Sequence, residues 1–179
     1  MSPSTSLTAT LGLIAALSER RPPPSSSARL DALFLQLARV TTEHEALQTE
    51  DCIWWLWMAD PNAAAAAVLD RATTDIAHRR FDIAETRLVK LLRTRPDYTE
   101  AWHKLATLHY LLGRDDESLV ECHHSLELEP RHFGALCTIG EILFGAGERE
   151  GARLAFRAAL RLHPHHVGAN VRLSELASQ

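Results

Sequence analysis

Ten histidines, three cysteines and one well-placed carboxylate are the residues whose types could do chemistry. The histidines cluster as His123-His124 and His163-Pro164-His165-His166, with Cys122, His132 and Cys137 close by in sequence. Adjacent helix positions point about 100° apart, which separates His123 from His124 instead of converging them on one ion. The run ending at His166 falls in a turn of the pattern described below, where polar side chains are expected in solvent. Adventitious nickel or zinc binding is therefore the expectation, and no metal site or cofactor is assigned. Cys52, Cys122 and Cys137 are widely spaced, odd in number and lack a C-x-x-C, which suits small buried thiols in a reducing compartment. Glu141 stands alone on its helix face, as a hydrogen-bonding specificity group would. There is no glycine-rich phosphate loop, no G-x-S-x-G and no paired carboxylate set. The expectation is a non-enzymatic protein.

The strongest local oddity is Ile53-Trp54-Trp55-Leu56-Trp57-Met58. Six consecutive apolar residues point in every direction around a helix, so a single stripe cannot bury them. One reading packs the segment on two sides, against the first N-terminal helix and against Val68, Leu69 and Ala72. The functional reading leaves Trp54, Trp55 and Trp57 as a hot spot for a partner or a second copy. A membrane-interface anchor is a third.

Composition says which elements must position these residues. Ala and Leu number 54 while Val and Ile number 12, so helix formers dominate and strand formers are scarce. The chain of 179 residues carries 19 basic and 23 acidic side chains, a net charge of −4. That balance offers no electrostatic case for nucleic acid or an anionic membrane.

The last four prolines fall at Pro61, Pro96, Pro130 and Pro164, spaced by 35, 34 and 34. A shift of 34 aligns Ala67, Ala101, Ala135 and Ala169, and then Ile76, Tyr110 and Phe144. It also aligns Ala72, Ala106 and Gly140, and, further on, Ala84, Ser118 and Ala152. Large residues recur against large and small against small, the mark of one stacked unit. Each unit reads as two helices. Trp102, Leu105, Ala106, Leu108 and Leu112 have helical spacing, Gly113 closes that helix, and Asp115, Asp116 and Glu117 open the next. The two small sets would face each other and let the helix axes approach.

This pattern resembles the tetratricopeptide repeat (TPR) family. The third unit keeps it best, in Ile139, Gly140, Gly147, Ala152, Phe156, Ala159 and Pro164. The second keeps Trp102, Leu105, Ala106, Gly113 and Pro130, with Ser118, Cys122 and Ser125 where Ala, an aromatic and Ala are usual. The first is weakest, having Arg71 at a usually apolar slot and Arg79 for the inter-helix glycine. The resemblance implies an all-α, right-handed α-solenoid with units at 65–98, 99–132 and 133–166 and a capping helix at 167–179. It also implies a concave groove, lined by the first helix of each unit, that holds a partner helix or peptide. The implied lining is Leu69, Thr73 and Ile76, then His103, Lys104, Thr107 and Tyr110, then Cys137, Glu141 and Phe144, and Val171 from the cap. Family members that clamp acidic chaperone tails use Lys, Arg and Asn there. The matching places hold Leu69, Thr73, Lys104, Gly134 and Thr138, so such a clamp is not expected. The mixed, weakly polar wall suits an amphipathic helix or a neutral extended peptide.

Residues 28–61 fill one further period and read as a helical hairpin, a degenerate repeat or a cap on the open end of the array. Residues 1–27 read as a disordered or targeting tail ending in a Pro/Ser linker at 21–27. The apolar stretch from Leu7 to Leu17 is too short to span a bilayer, and Arg20, the first basic residue, follows it. A cytoplasmic location is expected, or export or organelle targeting if residues 1–27 are a cleaved leader. The function expected is a scaffold or assembly adaptor for a protein or peptide partner. The alternative is a structural, self-associating protein, a homodimer for example, whose groove is filled by its own N-terminal hairpin.

Overall fold

The computed structural model describes residues 5–17 and 27–178, and nearly all of the expected Pro/Ser linker lies outside them. Among the described residues there are ten helices and no strand: α1 (Thr5–Ala16), α2 (Ala28–Leu37), α3 (Glu43–Met58), α4 (Ala63–Ala77), α5 (Phe81–Thr94), α6 (Thr99–Leu111), α7 (Asp115–Leu128), α8 (Phe133–Gly145), α9 (Arg149–Leu162) and α10 (Val167–Ala177).

Helices α4–α5, α6–α7 and α8–α9 form three hairpins, each joined by a three-residue turn. Each turn needs one residue in the left-handed region. Gly113 (φ +71°) and Gly147 (φ +78°) supply it at no steric cost, whereas the first hairpin forces Arg79 to φ 58°. Inside each hairpin the small residues meet as the 34-residue period requires. Ala72, Ala84, Ala106, Ser118 and Ala152 are fully buried, and the Ser118 hydroxyl donates to the Ala106 carbonyl at 2.7 Å across the hairpin. Gly140 lies against Phe156, where an added Cβ would come within 2.5 Å of the ring. Helix α10 closes the far end on α9, its Leu176 carbonyl accepting from Arg149 and Arg153.

The N-terminal third departs from expectation twice. A disordered or targeting tail is expected at 1–27, but residues 5–16 form α1, which docks on the outer helices α7 and α9. Ile14 is buried, Leu11 sits over Gly151, and the Thr10 hydroxyl lies 2.8 Å from His123 Nε2. Thr10, Ile14 and Leu17 are buried at the spacing i, i+4, i+7, so this uncharged segment docks through one face.

The second departure is the α2–α3 hairpin, which does not stack Trp54 and Trp57 on Val68, Leu69 and Ala72. Both rings join the core around Phe133, and of the Ile53–Met58 segment Met58 packs with the Leu69 cluster. The outer end of the first hairpin is polar instead. Arg71 is exposed, and Asp75 is held by Arg80 and Arg87 at 2.7 and 2.8 Å. A face with Arg71 at a slot that holds Leu105 and Ile139 in the other hairpins does not favour a stacked repeat.

Two outcomes follow from this packing. Gly140→Leu, which drives a side chain into Phe156, should lower stability by about 1–3 kcal/mol or more by thermal melting. Gly168→Leu, whose Cβ would meet only His166 at 3.5 Å, should be far milder. Deleting residues 1–17 should cost on the order of 3 kcal/mol in urea denaturation, because it strips Ile14 and Leu17 from the outer face. An unchanged urea midpoint would mean that α1 does not dock in solution.

Candidate partner-binding face

Helix α3 lies along the N-terminal ends of α6 and α8, on the concave side of the array. Its inward face is Ala46, Thr49, Glu50, Ile53, Trp54 and Trp57, a helical spacing. Trp57 stacks on His132, with ring centroids 4.1 Å apart and planes 12° apart. Trp54 stacks on His103 at 5.7 Å, and Lys104 Nζ lies 5.3 Å from its ring centre. Beneath both indoles is Phe133, with centroids 5.2 and 5.1 Å away. Glu50 accepts from Trp54 Nε1 and meets His163 Nε2, both at 2.9 Å. Arg131 reaches from the turn before α8 to Asp31 (2.7 Å) and covers Phe34.

The two Trp–His stacks roof a fully buried carboxylate. Glu100 Oε2 accepts from His132 Nε2 at 2.8 Å, and Oε1 faces Lys104 Nζ at 2.9 Å and His103 Nδ1 at 3.3 Å. His132 Nδ1 accepts the Ala135 N–H and so caps α8, which leaves the proton on Nε2 to donate to Glu100. Burial by itself would raise the Glu100 carboxyl, but the surrounding His103, His132 and Lys104 hold it well below the usual carboxylate range. Burial pushes His103 down to about 4, so its ring is neutral. Glu100, His103 and His132 offer one ligand atom each within 4.8 Å of one another, a geometry that could hold a cation. Lys104 and the cap on Ala135 already occupy that carboxylate and that ring, and the cluster reads as a neutralised core charge.

The residues expected to line the groove divide into two groups. Leu69 and His103 are buried, Lys104 is committed to Glu100 and Trp54, and Cys137 lies 3.7 Å from His166 Nε2. Thr73, Ile76, Thr107, Tyr110, Glu141 and Phe144, towards the C-terminal ends of α4, α6 and α8, are half-buried, and Val171 is exposed. Glu141 does not stand alone: Arg172 binds both its oxygens at 2.9 and 3.0 Å and lies 4.7 Å over Phe144. The tryptophans separate too, since Trp57 is 7% exposed, Trp54 half-buried and Trp55 63% exposed.

Other expectations are corrected. Cys52, expected inside, is exposed, whereas Cys122 is buried. The His163–His166 run is not simply solvated: His163 is buried against Glu50, His165 meets the Val40 carbonyl at 3.1 Å, and His166 caps α10. Sequence reasoning also passed over Glu100, Arg172 and the buried pair His109–Glu121, 2.8 Å apart. A signal for Glu100 was available. In the 34-residue register it shares a slot with Ala66, Gly134 and Gly168, so a carboxylate stands where small residues are the rule.

Three helix hairpins of one period, closed by a capping helix and holding an interior helix on the concave face, define an α-solenoid. A tetratricopeptide repeat model matches residues 69–121 and 137–178. A TPR repeat-containing protein of Rhizobium etli is 30% identical over 161 residues, covering 90% of this chain and 79% of its own. The chain belongs to the tetratricopeptide repeat family. Among solved structures, the first TPR of Spaghetti (RPAP3), bound to the HSP90 peptide SRMEEVD, superposes with a TM-score of 0.61 at 17% identity, covering 64% of this chain and 90% of that one. MamA superposes with a TM-score of 0.59 at 14% identity over 98% of this chain and 83% of that one. At these identities the likeness is one of fold.

The buried cluster has a pH signature. A neutral His103 stabilises the fold fully above its unfolded value near 6.5, and that stability is lost as pH falls towards about 4. The depressed Glu100 carboxyl acts in the same direction, its contribution disappearing as pH falls through its folded value. Glu121 acts oppositely: burial pushes it up to about 7, so its contribution weakens as pH rises from the ordinary carboxylate range to 7. Comparison with His103→Gln isolates the first effect. From pH 6.5 to 4 the urea midpoint of the wild type should fall more steeply than that of the variant, and parallel curves would mean that folding leaves the His103 pKa unshifted.

Proposed function

We propose that this chain is a non-enzymatic protein-interaction module, a scaffold or assembly adaptor, that receives a partner helix or extended peptide on its concave face. The observation that supports this reading is the half-buried row left beyond α3, in which Ile76, Tyr110 and Phe144 lie on successive repeats with Thr73, Thr107 and the Glu141–Arg172 pair between them. Partly exposed aromatics on a rigid wall suit apolar anchors of a helix, and the threonines suit its polar edge. The acidic-tail mode seen in the Spaghetti complex is not favoured here, because Lys104 is already bound to Glu100 and covered by Trp54.

A second reading, self-association, draws on one specific observation: α3 already covers the His103–Lys104 half of the wall. Affinity capture with the full chain tests the first reading. The Tyr110→Ala, Phe144→Ala double variant should stay helical by circular dichroism and lose the captured partner, a loss of about 2 kcal/mol or more per anchor. Capture by wild type should weaken only modestly between low and moderate salt, as the wall carries no block of one charge sign. Unimpaired capture by a folded double variant, or a steep salt dependence, would overturn the reading.

A further inference from the structure

The contact between α3 and the array is specific in register yet incompletely bonded. Glu50, Trp54 and Trp57 follow the spacing i, i+4, i+7 and present one face of α3. Their seat is built by several elements: His103 and Lys104 of α6, His132 and Gly134 at the start of α8, and His163 after α9. Gly134 has no side chain because Trp54 and His103 fill that space: a Cβ there would come within 2.6 Å of the indole and 2.9 Å of the imidazole. Of the acidic residues of α3, Glu50 faces the seat, where it meets His163 Nε2 at 2.9 Å and lies near His166, while Glu43, Glu45 and Asp51 are exposed. Two buried polar atoms of this contact nevertheless have no hydrogen-bond partner among the described residues: the Trp57 indole Nε1 and His163 Nδ1. Both are desolvated groups that the intramolecular fit leaves unrewarded: the Trp57 indole would regain water when α3 leaves, and His163 Nδ1 is an atom of the seat that a ligand could satisfy. The hairpin is joined to α4 only by Ala59-Asp60-Pro61-Asn62, pinned through Arg95 to Asp60 and through Tyr98 to the Met58 carbonyl.

We infer that this seat is a second helix-binding site, for an amphipathic helix of a partner protein carrying Glu and two large aromatics at i, i+4 and i+7, and that α3 is its built-in, displaceable occupant. The inference rests on reading the array as an interaction module, but it uses the half of the concave face that the Tyr110–Phe144 row does not. While α3 is seated, the partner's apparent affinity is reduced by the fraction of time the seat is open.

The test uses the full chain and, as probe, a fluorescently labelled peptide of residues 43–58. In the Trp54→Ala, Trp57→Ala variant the occupant is weakened and the seat intact. Anisotropy titration should give an affinity about tenfold or more above that of wild type. Adding Gly134→Ala to the same variant fills the seat and should abolish binding, as should replacing both tryptophans in the peptide. Hydrogen exchange should show α3 released in the double variant while α6–α9 stay protected. Equal binding by wild type and double variant, or none by a double variant whose α6–α9 remain protected, overturns the inference. Loss of protection across α6–α9 also overturns it, making α3 an integral part of the core. A wild-type dimer that the peptide dissociates would give the seat to a second copy's hairpin and overturn the assignment to a foreign partner. Tyr110→Ala, Phe144→Ala should leave peptide binding unchanged, so failure of the seat is distinguishable from failure of the groove.

Discussion

The close approach of the two helices within each hairpin is the constraint on which everything else is built. It depends on Ala72 and Ala84, on Ala106 and Ser118, and on Gly140 and Ala152, positions where a larger residue would push the axes apart. Because the same contact is made three times, the hairpins stack with one rotation per unit, and the first helices of all three fall on one face. The concave wall is thus a consequence of small residues buried behind it. Where a turn breaks the rule, as at Arg79 with its φ of 58°, the backbone absorbs the strain rather than the packing.

A pure repeat array is held by neighbour contacts, so its ends fray and its units unfold semi-independently. This chain adds ties of another kind. Thr10 meets His123 and Glu50 meets His163, each across 113 residues, Asp31 meets Arg131 across 100, and Val40 meets His165 across 125. All run from the N-terminal segment to the second and third hairpins. Helix α1 braces those hairpins from outside and α3 from the concave side. The first hairpin, with its polar end, meets this clamp through Met58, which packs with its Leu69 cluster.

The charge chemistry belongs to the same clamp. A carboxylate as buried as Glu100 is tolerable only when its hydrogen-bonding capacity is filled, and the two imidazoles and Lys104 fill it. The flat faces of those imidazoles then become platforms for Trp54 and Trp57. A buried charge, a helix cap and an aromatic docking seat are therefore one structure, and a change in the protonation of the cluster bears directly on how α3 is held.

The sequence by itself determined the helix class, the hairpin phase and the face that each repeat presents, because these follow from local spacing. Apolar and small residues recurring every 34 positions leave only one way to stack, and Gly113 and Gly147 mark the turns. Arg71, exposed at a slot that holds Leu105 and Ile139 in the later units, even announces the solvated end of the array. The tertiary structure alone decided where α1 and α3 go, which of three adjacent tryptophans is exposed, and that Glu100, His103 and His132 converge. Such contacts join residues far apart in the chain, and neither docked helix has a repeated counterpart from which its phase could be inferred. Tryptophan at 54, 55 and 57 has the same composition on any face; only the surface that α6 and α8 offer, with Gly134 opening a space and two histidines lying flat, selects which indoles are covered.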